Sequence, residues 1–318
     1  MKRGKVIFCL MSFLLFSGIM SAHQTELSLK ISGSFSYLIL GDINSFIVDL
    51  NNYNHDRANL PIYTSFSFEK EYRKFNFAPG GEGEVRITLS PRFALALGTG
   101  YLSGKKESTP QYSYTSNIYE GLYQYTTERT FTYKTTAIPI LLSLYFNLPL
   151  KNELSLFLKA GGGYYLTSLT STETGNYTSS WKQYTWEGNW KETQEASSNG
   201  FGFHGGFGLE YNISKNLVLV FEGIGRYAKI KNFEGDYSFH TQEKEYLNGT
   251  LIDTWEDSSK EHGKLYFYEW RSYLTDNWYK RVDIWEEEPA GSNFQNIRKA
   301  IVDFSGFALC LGIRIKLF

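Results

Sequence analysis

The last thirteen residues, GFALCLGIRIKLF, put Leu309, Leu311, Ile313, Ile315 and Leu317 at every second position, alternating with Ala308, Cys310, Gly312, Arg314 and Lys316. Successive side chains of a strand point to opposite faces, so one face here is continuous hydrocarbon and the other is small or cationic. The pattern recurs in segments 27–38, 81–89, 93–102, 136–147, 154–167, 201–212 and 217–228, and the terminal segment spans 301–318. In the fourth, Ile138, Ile140, Leu142, Leu144 and Phe146 share one side. Each segment is long enough for the ~9 to 11 tilted residues with which a strand crosses a bilayer.

Alternation also suits a soluble sandwich, so the connections must separate the two. Those at 90–92, 148–153 and 213–216 are tight, whereas 39–80, 103–135, 168–200 and 229–300 are long. Short turns on one rim and long loops on the other describe an outer-membrane barrel with its loops outside the cell. Every backbone polar group within hydrocarbon must be paired, which a sheet achieves only without edges. The expected fold is therefore all-β: a closed antiparallel up-and-down transmembrane β-barrel of about eight strands, with long extracellular loops. YTSFSF (63–68) and KLYFYEW (264–270) are further strand candidates that make ten the alternative count. Pro139 removes a ladder hydrogen bond from the fourth strand and is read as its outer end or a bulge.

Aromatic girdles should mark both edges of a lipid-facing band. Tyr37, Tyr101, Tyr164 and Tyr227 lie on the apolar face just before long loops, and Phe93, Phe146 and Tyr211 lie on it beside short turns. The span from Phe93 to Tyr101 rises roughly 20 Å at ordinary strand tilt, close to the expected band of ~25 Å. The opposite face carries Glu84, Arg86, Lys159, His204, Glu210, Glu222, Arg226, Arg314 and Lys316 among Gly and Ser. An eight-stranded interior is just filled by side chains, so Glu84, Arg86, Glu210, Glu222, Arg226 and Arg314 are expected to pair in a lumenal network without an open pore.

Residues 1–22 place Lys2, Arg3 and Lys5 before VIFCLMSFLLFSGIM, the layout of a secretory signal peptide, with cleavage expected near Ala22. Residues 23–318 then form the barrel domain. Loss of the three basic residues leaves 29 Lys and Arg against 33 Asp and Glu, a charge of −4, and no clustered basic face for nucleic acid. Cys310 is the only cysteine left, which excludes an internal disulfide.

The eight segments and the terminal GIRIKLF resemble the small outer-membrane β-barrel family, the OmpA/OmpX-type eight-stranded barrels of Gram-negative bacteria. The resemblance implies outer-membrane lipids as surroundings, and periplasmic chaperones and the barrel-assembly machinery as partners in biogenesis. It also implies Phe318 as the assembly signal, although Leu317 is the residue in step with the apolar face. The family includes structural proteins, adhesins, porin-like carriers and a few enzymes, so it sets place and fold rather than activity.

Motifs of chemistry are few. GFGFHG (200–205) has dinucleotide spacing but continues as a strand instead of opening a helix, so its glycines are assigned to crowding inside a narrow barrel. GTGYLSGKK (98–106) departs from a phosphate loop at Thr99 and Lys106. There is no HExxH, CxxC or GxSxG, and no catalytic, cofactor or metal site is expected. His204, read as inward and near the top of its strand, is the one candidate for an outer-membrane enzyme, an activity not expected here.

The loops carry the stronger functional signal. All seven tryptophans, Trp181, Trp186, Trp190, Trp255, Trp270, Trp278 and Trp285, fall in the last two. Such residues stack on sugars or anchor a protein partner; alternatively they pair across hairpins that lengthen the barrel, with WEGNW (186–190) as one turn. Glu286, Glu287 and Glu288 form a solvated acidic run. Ile43, Phe46, Ile47 and Leu50 fit a helix over the barrel mouth with Asp42 as N-cap, or equally a docked loop. The sequence thus predicts a structural or surface-binding role, adhesion included, with a surface glycan or protein as partner. A carrier of small apolar molecules is the alternative.

Overall fold

The computed structural model describes residues 26–74, 76–116, 121–151 and 153–317. The signal segment and Phe318 lie outside the described residues. The strands in chain order are β1 (Leu27–Leu38), β2 (Tyr63–Glu69), β3 (Phe77–Thr88), β4 (Phe93–Ser108), β5 (Gln111–Ser116), β6 (Tyr123–Pro149), β7 (Leu154–Trp181) and β8 (Tyr184–Asn212). There follow β9 (Leu217–Tyr227), β10 (Lys229–Ile230), β11 (Glu234–Leu247), β12 (Thr250–Arg271), β13 (Trp278–Trp285), β14 (Phe294–Lys299), β15 (Val302–Asp303) and β16 (Gly306–Lys316), with a helix α1 (Asp42–Ala58) between β1 and β2.

Antiparallel pairing runs from β1 to β3, β4, β6, β7, β8, β9 and β16, and β16 pairs back onto β1. These are the eight segments with period-two alternation. The two extra candidates are strands, but they stand outside this circuit: β2 pairs with β5, and β12 with β11, β13 and β14. The terminal strand is shorter than expected, because residues 302–303 leave it to pair with β10.

Alternation sorts the side chains as the sequence predicts. On β6, Leu142 is 54% exposed and its neighbour Leu141 only 4%. Glycines on the inward face admit neighbouring chain: a Cβ at Gly161 would overlap Leu142 O, and one at Gly206 would overlap Gly223 O. Pro139 is neither the outer end of β6 nor a bulge. It lies well inside the strand, and the β4–β6 ladder lacks pairs opposite it without a shift of register, resuming at Leu102 and Ala137.

On the long-loop side, β6, β7 and β8 run far beyond the other circuit strands and carry an outer sheet ordered β13-β12-β11-β8-β7-β6-β5-β2. Helix α1 packs against β13 and β2, the two edges of this sheet. Its apolar positions recur at helical spacing, so Ile43, Phe46 and Ile47 face inward together. They join a buried cluster with Leu38, Leu102, Leu141, Tyr165 and Phe304 that stops the interior of the circuit from above.

Asp42 is not the N-cap. That position is Gly41, at φ 55, where a side chain would press on Ile301 O and Asp303 Cβ. Asp42 is the first helical residue, and its carboxylate accepts from Arg298 (2.6 and 2.7 Å) and from Ile301 N (2.8 Å). A carboxylate there also suits the helix dipole.

Candidate functional site

Below the helix-anchored cluster, the interior is a dense network of paired ions. Lys30 Nζ lies 2.9 Å from Glu222, 3.3 Å from Glu82 and 3.4 Å from Glu84. Arg86 reaches both oxygens of Glu210 (2.9 and 3.3 Å), and Arg314 links Glu210 (2.6 Å) to Glu84 (3.1 Å). Lys159 pairs with Glu222 and lies 3.6 Å from Glu82. Tyr145 donates to Glu84 (2.6 Å), and the guanidinium groups of Arg86 and Arg314 stand over its ring. Burying ions is costly unless each is paired, and here each of these charges lies against an opposite one, while Arg86 Nε and Arg314 Nε keep no hydrogen-bond partner among the described residues.

Five of the six predicted network residues therefore meet. Arg226 differs: it is half-buried and donates to Ser36 Oγ (3.1 Å). Lys30 and Glu82 were not foreseen, although both occupy the non-apolar phase of their strands.

The predicted girdle residues Tyr37, Phe93, Tyr101, Tyr211 and Tyr227 are exposed on the outward face. Phe146 and Tyr164 are half-buried because each leans on a cross-strand aromatic, Phe93 at 5.3 Å and Phe201 at 5.1 Å. His204 is inward but not near the top of its strand, since β8 continues from Phe203 up to Tyr184. Its Nε2 meets Ser143 Oγ at 2.8 Å, and no carboxylate hydrogen-bonds to it among the described residues. His204 is therefore not paired with a carboxylate at the outer rim.

WEGNW is not a turn but part of β8. The β7–β8 hairpin turns at Lys182 and Gln183, with Lys182 at φ 55. Trp190 packs on Tyr177 and lies under Arg129, and Trp186 stacks on Tyr184. Trp270 meets Tyr53 of α1 and Arg281, while Trp285 meets Tyr268 and Phe294. Trp181 and Trp278 are half-buried, and Trp255 stands 53% exposed on β12, opposite Glu243 of β11. Most tryptophans thus hold the outer sheet together. Glu286, Glu287 and Glu288 are all exposed.

Above the buried cluster, α1 and the outer sheet enclose a cavity of about 160 Å³. Its aromatic wall is Phe46, Tyr53, Tyr72, Tyr112 and Phe131; its charged wall is Arg57, Arg129, Arg281, Glu173, Glu192 and Asp283. Arg129 pairs with Glu173 at 2.8 Å and also donates to Tyr112. Glu192 and Asp283 have no ion pair among the described residues and share the amide of Gln194 instead. Gln194 Nε2 donates to Glu192 Oε1 and Asp283 Oδ1, both at 3.1 Å, while its Oε1 accepts from Ile284 N at 3.2 Å.

Tyr268 donates to Asp283 Oδ2 at 2.6 Å, and burial together with that carboxylate keeps its hydroxyl protonated well above the usual range. Burial, and then the charge of Asp283, push the Glu192 carboxyl up from 4.5 to about 7. Arg57 lies among five aromatic rings, 5.4 to 5.7 Å from their centres, and donates to Tyr63. None of these cavity residues except Phe46 and Leu50 was singled out in the sequence.

Antiparallel strands with apolar outer faces and a charged interior define an outer-membrane β-barrel. Residues 12–243 match the outer membrane protein beta-barrel domain, and the chain belongs to that family. Its location is accordingly the outer membrane. Solved structures with weaker likeness include the outer membrane protease OmpT from Escherichia coli, at 8% identity over 92% of this chain and 96% of that one, TM-score 0.22. The RagAB peptide importer in the closed-closed state shares 10% identity over 77% of this chain and 39% of its own, TM-score 0.14. The RagAB peptide transporter shares 9% over 78% and 40%, TM-score 0.14. At these scores none bears on the site or its activity. No curated protein matches the chain.

Proposed function

We propose that the eight strands of the circuit form a closed transmembrane barrel that conducts nothing, and that its extracellular half is a surface-binding module. The observation that carries this reading is the double closure of the interior, by paired ions below and by the α1-anchored apolar cluster above. A carrier of apolar molecules needs an empty hydrophobic lumen, and here apolar side chains of the chain itself occupy that space. Binding falls to the cavity under α1 for small molecules and to exposed aromatics such as Trp255 for a surface glycan or protein. The protein acts by binding, not turnover. Export by a cleaved signal peptide, chaperone escort and assembly through Phe318 complete the proposal.

Reconstitution into liposomes tests it. Purified barrel should give no solute flux or ionic conductance above protein-free vesicles. Steady conductance, or uptake of a small apolar dye, would replace the binding reading with the carrier.

A further inference from the structure

The cavity under α1 has two ends of opposite need. At one, Glu192 and Asp283 face each other across a single amide, and Glu192 Oε2 receives no hydrogen bond among the described residues. The Gln194 amide and the Tyr268 hydroxyl that hold these carboxylates are both neutral, and neither carboxylate has an ion pair among the described residues, so a ligand cation would supply the counter-charge. At the other, Arg57 has no carboxylate partner among the described residues, while Arg281, also without an ion pair among them, lies between the ends and acts on both Tyr53 and Glu192. A guanidinium group placed as Arg57 is accepts a ligand carboxylate. At about 160 Å³ the space is below the ~300 Å³ at which drug-sized sites begin, so it selects a small molecule. Its aromatic wall suits an apolar body between the charged ends.

We infer that this cavity binds a small zwitterion of amino-acid type, with its ammonium against Glu192 and Asp283 and its carboxylate against Arg57. The inference deepens the surface-binding reading and rests on it. A bare divalent cation fits less well, because the Gln194 N–H group points at both carboxylate oxygens and would repel a metal there. The groups around the acidic end are Arg281 on β13, Glu173 on β7, Arg129 and Tyr133 on β6, Tyr237 on β11 and Tyr268 on β12. Glu192 is the one among them with a carboxyl poised near neutrality, so binding should strengthen as pH rises through about 7.

The test is calorimetric titration of the full barrel in nonionic detergent with free L-amino acids from glycine to phenylalanine, each beside its N-acetyl and methyl-ester derivatives. At least one free amino acid should bind saturably. Blocking either end should weaken it on the order of tenfold or more. Glu192→Gln should weaken the free amino acid similarly and remove the pH dependence, and Arg57→Gln should act through the carboxylate alone. Heat-modifiable migration on gels checks that each variant is folded, and the blocked ligands test the inference without any variant.

No saturable binding across the panel, or equal binding of free and blocked forms, overturns the inference. Conductance in liposomes would sink the surface-binding reading itself, whereas a non-conducting barrel indifferent to zwitterions sinks only this step.

Discussion

The lumen and the outer cavity are built from the same residue types and treat them oppositely. In the lumen, Lys30, Arg86, Lys159 and Arg314 meet Glu82, Glu84, Glu210 and Glu222, so each of these charges is matched by another. In the cavity, Arg129 and Glu173 pair, but Glu192, Asp283, Arg57 and Arg281 have no ionic partner among the described residues. A paired network fixes a structure. An unpaired one, held open by a helix and a curved sheet, is fit to receive something. The difference lies in geometry: eight converging strands crowd their inward side chains together, whereas the outer sheet spreads and needs α1 to span its edges.

The largest expected effect would break the first half of this contrast. Glu84→Gln takes one carboxylate from Lys30, Arg314 and Tyr145 at once, and removing one partner of a buried pair costs about 3 to 5 kcal/mol. Urea unfolding in bilayers measures it. The Arg129–Glu173 pair, whose side chains keep 27% and 19% of their surface exposed, should lose less on Glu173→Gln, and equal losses would erase the distinction.

Next comes the outer surface of the lower region. Leu142→Arg places a charge where lipid is expected and should cost about 2 to 4 kcal/mol in bilayers. The same change should cost far less in detergent micelles, where the charge reaches water. Third, Gly161→Ala forces a methyl group onto Leu142 O and His204, which overpacking penalises by about 1 to 3 kcal/mol. A neutral effect in the same unfolding assay would mean the interior is looser than described.

The last effect belongs to the cavity and depends on pH. The folded Glu192 carboxyl is raised from 4.5 to about 7, so between these values the folded state holds a proton that the unfolded chain has released. Its stabilising contribution is fully present below pH 4.5 and is lost as pH climbs through 7. Thermal unfolding from pH 4.5 to 7.5 should show this loss in the native chain, and Glu192→Gln should remove that part of the slope. An unchanged slope would leave the pair without the assigned strain.

Period-two alternation made the eight circuit strands legible, because lipid or water on one side and a filled interior on the other impose the same rule on every residue. Lys30 was readable by the same rule, lying between Leu29 and Ile31, as Glu82 was from its place two residues before Glu84. The β11–β12 turn also carries its own signal, Asn248-Gly249 at φ 51 and 80. The β7–β8 turn carries none: Lys182 adopts the left-handed region without glycine, so the glycine in WEGNW drew the turn to the wrong place.

The sequence by itself therefore determined the strands, their faces and the membrane they suit, since each follows from neighbours two positions apart. Only tertiary structure decided the cavity. Glu192 and Asp283 are far apart in the chain and on strands that never pair with each other, and α1 reaches them from the first loop. Their proximity comes from the closure of the outer sheet by a helix, a long-range arrangement that no local periodicity records.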